Sequence, residues 1–90
     1  MQTYHLTDEF IDSTAEHALL ATLAIAPAQY WELEDVLTAD LFPTEAAAWQ
    51  ALASALDAGQ PAAVPAAWAP APDPHVTAQR LLDLHQRRLL

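Results

Sequence analysis

The chain has 90 residues, 21 of them alanine, with one glycine, no cysteine and a net charge of −9 at pH 7. That length fits one small domain burying only about 60–65% of its unfolded surface, and the missing cysteines exclude disulfides and thiolate metal sites. One glycine is too few for the turns of an all-β fold, and twelve acids against three arginines disfavour direct binding to nucleic acid or an anionic membrane.

Residues 1–12 read as an N-terminal arm. Tyr4, Leu6, Phe10 and Ile11 can pack, while Asp8, Glu9 and Asp12 interrupt the pattern. The segment has no basic n-region and no apolar run, so it does not read as a secretory signal. The apolar stretch 18–28 is too short to span a bilayer. A cytoplasmic protein with no membrane partner is expected.

A first helix is predicted from Ser13, where Ser13-Thr14-Ala15-Glu16 has the form of a capping box. Ala15, Leu19, Leu23 and Ala26 make one stripe, widened by Leu20 and Ile25. A helix so apolar all round is normally surrounded. Pro27 ends it by forcing the preceding residue out of helical space.

A second helix is expected over about 28–37, with Tyr30, Leu33 and Leu37 inward, Val36 beside them, and Trp31, Glu32, Glu34 and Asp35 towards the other side. Leu41 and Phe42 are expected to plug the end of the core. A third helix starts with Thr44 as N-cap and Glu45 in its first turn. It buries Trp49, Leu52, Ala53 and Leu56, and ends where Gly59 supplies a left-handed cap before Pro61.

Five of the seven prolines lie in 61–74, which reads as an extended Pro/Ala-rich connector tethered by Val64 and Trp68. A last helix starts near Pro74 with Asp73 as N-cap. Its inner face is predicted to carry Ala78, Leu81, Leu82, His85 and Leu89, with Asp83 and Arg87 paired one turn apart. Arg87 and Arg88 complement its C-terminal dipole. The expected architecture is all-α: a small orthogonal helical bundle of about four helices. It divides into an arm (1–12), a three-helix core (13–60), the connector (61–74) and a C-terminal helix (75–90) packed on the core.

No residue pattern here carries catalysis. His5, His17, His75 and His85 lack ligand spacing, so no metal is expected. Asp83 and His85 have no strained serine elbow or glycine-built oxyanion loop to serve. No cofactor is expected. The informative residues are the tryptophans. Trp49 belongs to the core, whereas an exposed Trp31 or Trp68 would mark a contact patch. Leu82, Leu89, Arg87 and Arg88 complete the protein-interaction candidates. For Arg80, Arg87 and Arg88 the plainer role is pairing with acids on the body.

The order of these signals resembles the N-terminal domain of DnaB-type replicative DNA helicases. That family opens its first helix with E-A-E-Q-x-x-L-G, against Thr14-Ala15-Glu16-His17-Ala18-Leu19-Leu20-Ala21 here. A turn ending D-F-Y corresponds to Asp40-Leu41-Phe42. A helix with an aromatic and then G-x-P corresponds to Trp49 followed by Gly59-Gln60-Pro61. A closing R-x-L corresponds to Arg87-Arg88-Leu89. The family's glycine is Ala21 here, its P-I-D is Pro61-Ala62-Ala63, and residues 61–74 replace two further helices. The resemblance implies a non-catalytic interaction and oligomerisation domain in DNA replication. Such a domain pairs subunits as a homodimer or docks primase or loader proteins, while ATP hydrolysis belongs to a separate motor. The alternative is a free-standing helical adaptor or regulator of unknown partner.

Overall fold

The computed structural model describes residues 11–89. It consists of four α-helices: α1 (Ser13–Ile25), α2 (Pro27–Glu32), α3 (Ala46–Asp57) and α4 (Pro74–Arg88), with a 3-10 turn at Ala39–Leu41. No strand occurs among the described residues, and the fold is the small all-α bundle expected. Residues 1–10, most of the predicted arm, lie outside the described residues.

Helix α1 is the axis of the bundle. Every other α-helix contacts it. Leu19, Leu20 and Leu23 are wholly buried, as are Glu16 and Ala21, and Thr22 is nearly so. Each such leucine contributes about 1.5–3 kcal/mol by leaving water. The connector adds cover to the helix beyond what the other helices supply. The Ala71 amide donates to Thr22 Oγ1 (2.7 Å) and to the Ala18 carbonyl (3.2 Å). Ile25 is the exception: it is 69% exposed, outside the stripe expected to hold it. It is the last residue of α1, where the chain turns away into Pro27 and no element covers it.

The start of α1 differs from the predicted capping box. Asp12, rather than Ser13, is the N-cap, and its Oδ1 accepts from the Ala15 amide at 3.0 Å. Its other oxygen accepts from Arg80 Nε of α4 at 2.8 Å, so the cap also fastens two helices together. This arrangement frees Glu16 to turn inward.

Helix α2 ends at Glu32, sooner than expected, and continues as turns over 33–36. Glu32, Glu34 and Asp35 fall where the helix dipole is negative, which disfavours continuation. Tyr30, Leu33 and Leu37 still reach the core, as predicted from their shared face. Leu41 and Phe42 plug its end, with Phe42 stacked on Trp49 of α3 at 5.0 Å between ring centroids.

Helix α3 ends as the sequence requires. Gly59 has φ of +72°, the Gly59 amide donates to the Leu56 carbonyl (3.0 Å), and the Gln60 amide donates to the Ala55 carbonyl (2.8 Å). These two bonds form the Schellman pattern, and glycine relieves the backbone strain it imposes.

Helix α4 begins at Pro74 after the Asp73 N-cap, whose carboxylate accepts from the His75 and Val76 amides. Its buried residues are Ala78, Leu81 and Leu84. The predicted face was rotated: Leu82 is only half-buried, and Leu89 is 72% exposed. Two polar anchors fix the roll of this helix, Arg80 on Asp12 at one point and Arg88 Nη2 on the Asp40 carbonyl (2.7 Å) at the other. They turn Leu84 inward and leave Leu82 at the rim.

Candidate functional site

Two places concentrate chemistry: an open corner where α1 meets α2, and a closed cluster where the start of α3 meets α1 and the connector.

The open corner is made by Pro27. The proline breaks the α1 ladder and then serves as the first residue of α2, where its missing N–H costs nothing. On either side of the break stand Ile25 and Trp31, the latter 51% exposed. Trp31 rests edge-on against Tyr30 at 4.8 Å, so its ring is held, although one side faces water. The Tyr30 hydroxyl donates to Asp57 Oδ1 at 2.9 Å. Burial, that hydrogen bond and the charges of Asp57 and Glu34 push the Tyr30 phenol up to about 12. Glu32, Glu34, Asp35 and Asp57 are exposed here, and no cation among the described residues pairs with any of them.

The closed cluster is built on Glu16, which has no exposed surface. It sits three, four and seven residues before Leu19, Leu20 and Leu23, on their own stripe. Its Oε1 accepts from the Thr44 amide (3.2 Å), the Thr44 hydroxyl (2.9 Å) and the Glu45 amide (3.2 Å). Thr44 therefore donates rather than capping α3 by accepting, and Glu45 is the N-cap residue. Glu16 Oε2 is buried with no hydrogen-bond partner among the described residues. Burial pushes the Glu16 carboxyl above the usual range; the bonds from Thr44 and Glu45 oppose this, and the Glu45 charge adds to it.

His17 continues the cluster outward. Its Nε2 bonds Glu45 Oε2 at 2.9 Å, and its ring lies parallel to Trp68 of the connector at 4.0 Å. One imidazole thus joins α1, the start of α3 and the connector.

The sequence-predicted interaction residues are divided between these places and α4. Trp31 lies at the open corner. Trp68 is half-buried against the core and stacked on His17, so it serves the closed cluster. Leu82 packs on the core edge, and Leu89 is exposed at the end of α4. Arg87 bonds Asp83 at 2.9 Å, and Arg88 holds the Asp40 carbonyl. His85 comes within 3.9 Å of Asp40 as well. Arg80 engages Asp12 at the start of α1 and Arg88 the Asp40 carbonyl, while Arg87 pairs with Asp83 within α4 itself.

Sequence reasoning missed Ile25, Glu16 and His17 as site residues. Glu16 could have been found, because its position on the leucine stripe announces a buried carboxylate. His17 carries no such signal; only the fold brings Glu45 and Trp68 to it.

Among the described residues, no group of three or more His, Asp or Glu could hold a metal ion, and no helix is long and apolar enough to cross a membrane. Compared with known family models, curated proteins and solved structures, the chain matches none.

Proposed function

We propose that the chain is a non-catalytic helical interaction domain of the kind found at the N-terminus of DnaB-type replicative helicases, and that it docks a protein partner at the Ile25–Trp31 corner. The observation that carries this reading is the half-exposed, laterally supported Trp31 beside four exposed carboxylates, none of them in an ion pair among the described residues. A held aromatic ring loses little freedom on binding and removes a large apolar area from water, which is how interface anchors work. The surrounding charge favours a basic partner with an apolar anchor and speeds its approach.

The order of motifs over residues 13–61 supports a partner of the primase or loader type in DNA replication. The free-standing adaptor uses the same corner and differs only in what it meets. Self-pairing through this corner brings like charges together, which costs several kcal/mol in an interface, on the order of what a modest dimer gains.

The test uses the full chain with a purified helicase-binding domain of a bacterial primase, followed by calorimetry and by sedimentation of each protein alone. Binding weakened at least tenfold by Trp31→Ala, with the chain monomeric alone, is the expected result. Binding unaffected by Trp31→Ala removes the corner from the reading. A concentration-dependent dimer abolished by Trp31→Ala replaces the heterologous partner with a second copy.

A further inference from the structure

The connector, residues 61–74, holds the greatest structural contrast in the chain. It is proline-rich and, up to Asp73, without regular structure, yet it seals α1, the most buried helix. Its attachment is narrow. The Ala71 amide is bonded to Thr22 and Ala18, Trp68 is stacked on His17, and Ala62 and Val64 pack at the core edge. Behind Trp68 the contacts lead through His17 to Glu45, and from the Glu45 amide to the buried Glu16.

We propose that the connector is a strap fastened by a proton: with Glu16 protonated the strap lies closed over α1, and ionisation of Glu16 loosens it through Glu45, His17 and Trp68. The reason is geometric. Oε1 already takes three donors, while Oε2 is shut away from bulk solvent with no protein donor among the described residues, so a second negative oxygen there is costly. A proton on Oε2 removes that charge and leaves the three bonds to Oε1 in place. Ionisation sets the buried charge beside the Glu45 carboxylate, which shares the same short turn. The relief available is for Glu45 to swing away, and Glu45 is what holds His17 under Trp68.

Three other groups border this path. His17 bonds Glu45 and stacks on Trp68, so it carries a displacement of Glu45 to the connector. Asp12, one turn before Glu16, is neutralised by Arg80 of α4 and is held below its ordinary range chiefly by that bond. The burial-driven rise of the Glu16 carboxyl agrees with the proton being held.

What the strap covers gives the device a consequence. When it lifts, the Ala71 amide leaves Thr22 and Ala18, and that side of α1 loses its cover, away from the Ile25–Trp31 corner.

The experiment follows the Ala71 amide of the full chain by hydrogen exchange and expresses it as a protection factor at pH 5, 6, 7 and 8. In the wild type, protection falls about tenfold for each unit by which the folded Glu16 value lies above the unfolded one. Glu16→Gln keeps the acceptor and the shape and cannot ionise, so its protection falls less with pH than that of the wild type. Wild-type protection that does not change with pH overturns the proposal, as does an equal fall in Glu16→Gln. Should Glu16→Gln not fold, the Glu16 side-chain carboxyl carbon is titrated by NMR in the wild type. A midpoint above the ordinary glutamate range, shared by the Trp68 indole resonance, supports the proton-fastened strap. A midpoint within or below that range, or an indole that does not follow it, overturns it.

Discussion

The two corners of α1 have opposite solutions to the same problem. At its N-terminal end, Glu16 and His17 are polar residues enclosed by helices, a turn and the connector. At its C-terminal end, Ile25 is apolar and left in water, with Trp31 beyond the proline break. The enclosed end shows what tertiary contacts do with polarity: they make it structural. The exposed end shows an apolar surface that the chain does not cover for itself, and such surfaces mark contact with something else.

Substitutions test how far that contrast holds. The largest expected effect is at the core that both ends share. Phe42→Ala removes a wholly buried ring stacked on Trp49 and lowers stability by about 3–5 kcal/mol in urea unfolding. At the enclosed end, Glu16→Ala leaves the Thr44 and Glu45 donors without their acceptor and costs about 1–2 kcal/mol. Glu16→Gln costs clearly less, because the acceptor survives; equal losses for the two would mean that Glu16 acts by volume alone. Gly59→Ala costs about 1 kcal/mol from the left-handed φ alone, since a Cβ there meets nothing. At the exposed end, Trp31→Ala changes stability by less than about 0.5 kcal/mol, and a larger loss would show the ring to be core rather than surface.

Acidity separates the groups further. Asp12 is held low by Arg80 and the Ala15 amide, so its contribution is present above its ordinary value of 3.8 and lost as pH falls through the lower folded value. Glu16 is raised, so its contribution is full below 4.5 and lost as pH rises through the raised folded value. Tyr30 adds stability that is complete below 10 and lost as pH rises through about 12. Thermal unfolding at a series of pH values is therefore expected to peak on the weakly acid side. In Glu16→Gln the decline from that peak towards neutrality is shallower. A wild-type maximum at pH 8 would contradict the buried-proton account.

The elements that could be read from the chain are those in which the decisive partners lie within a turn or two. Pro27 ends α1 through its own ring, Asp73 starts α4 through amides two and three residues on, and Gly59 closes α3 with Leu56 and Ala55. Leu41 and Phe42 were equally legible, because two large apolar residues in a polar turn have nowhere else to go. The errors share a cause. Ser13 lost the cap to Asp12, Thr44 became a donor, and the face of α4 rolled towards Leu84. In each instance a carboxylate or arginine found a partner between about 28 and 68 residues away. The Trp31 corner was half visible: its side of α2 was foreseen, whereas the exposure of Ile25 was not.

The sequence by itself determined that this protein is helical, where α1 and α3 stop, and that its first helix must be enclosed, because backbone dihedrals and apolar periodicity are local properties. Tertiary structure decided which polar groups are inside and which apolar ones are outside. Those outcomes depend on partners brought together only when α1, the start of α3 and the connector close around Glu16 and His17.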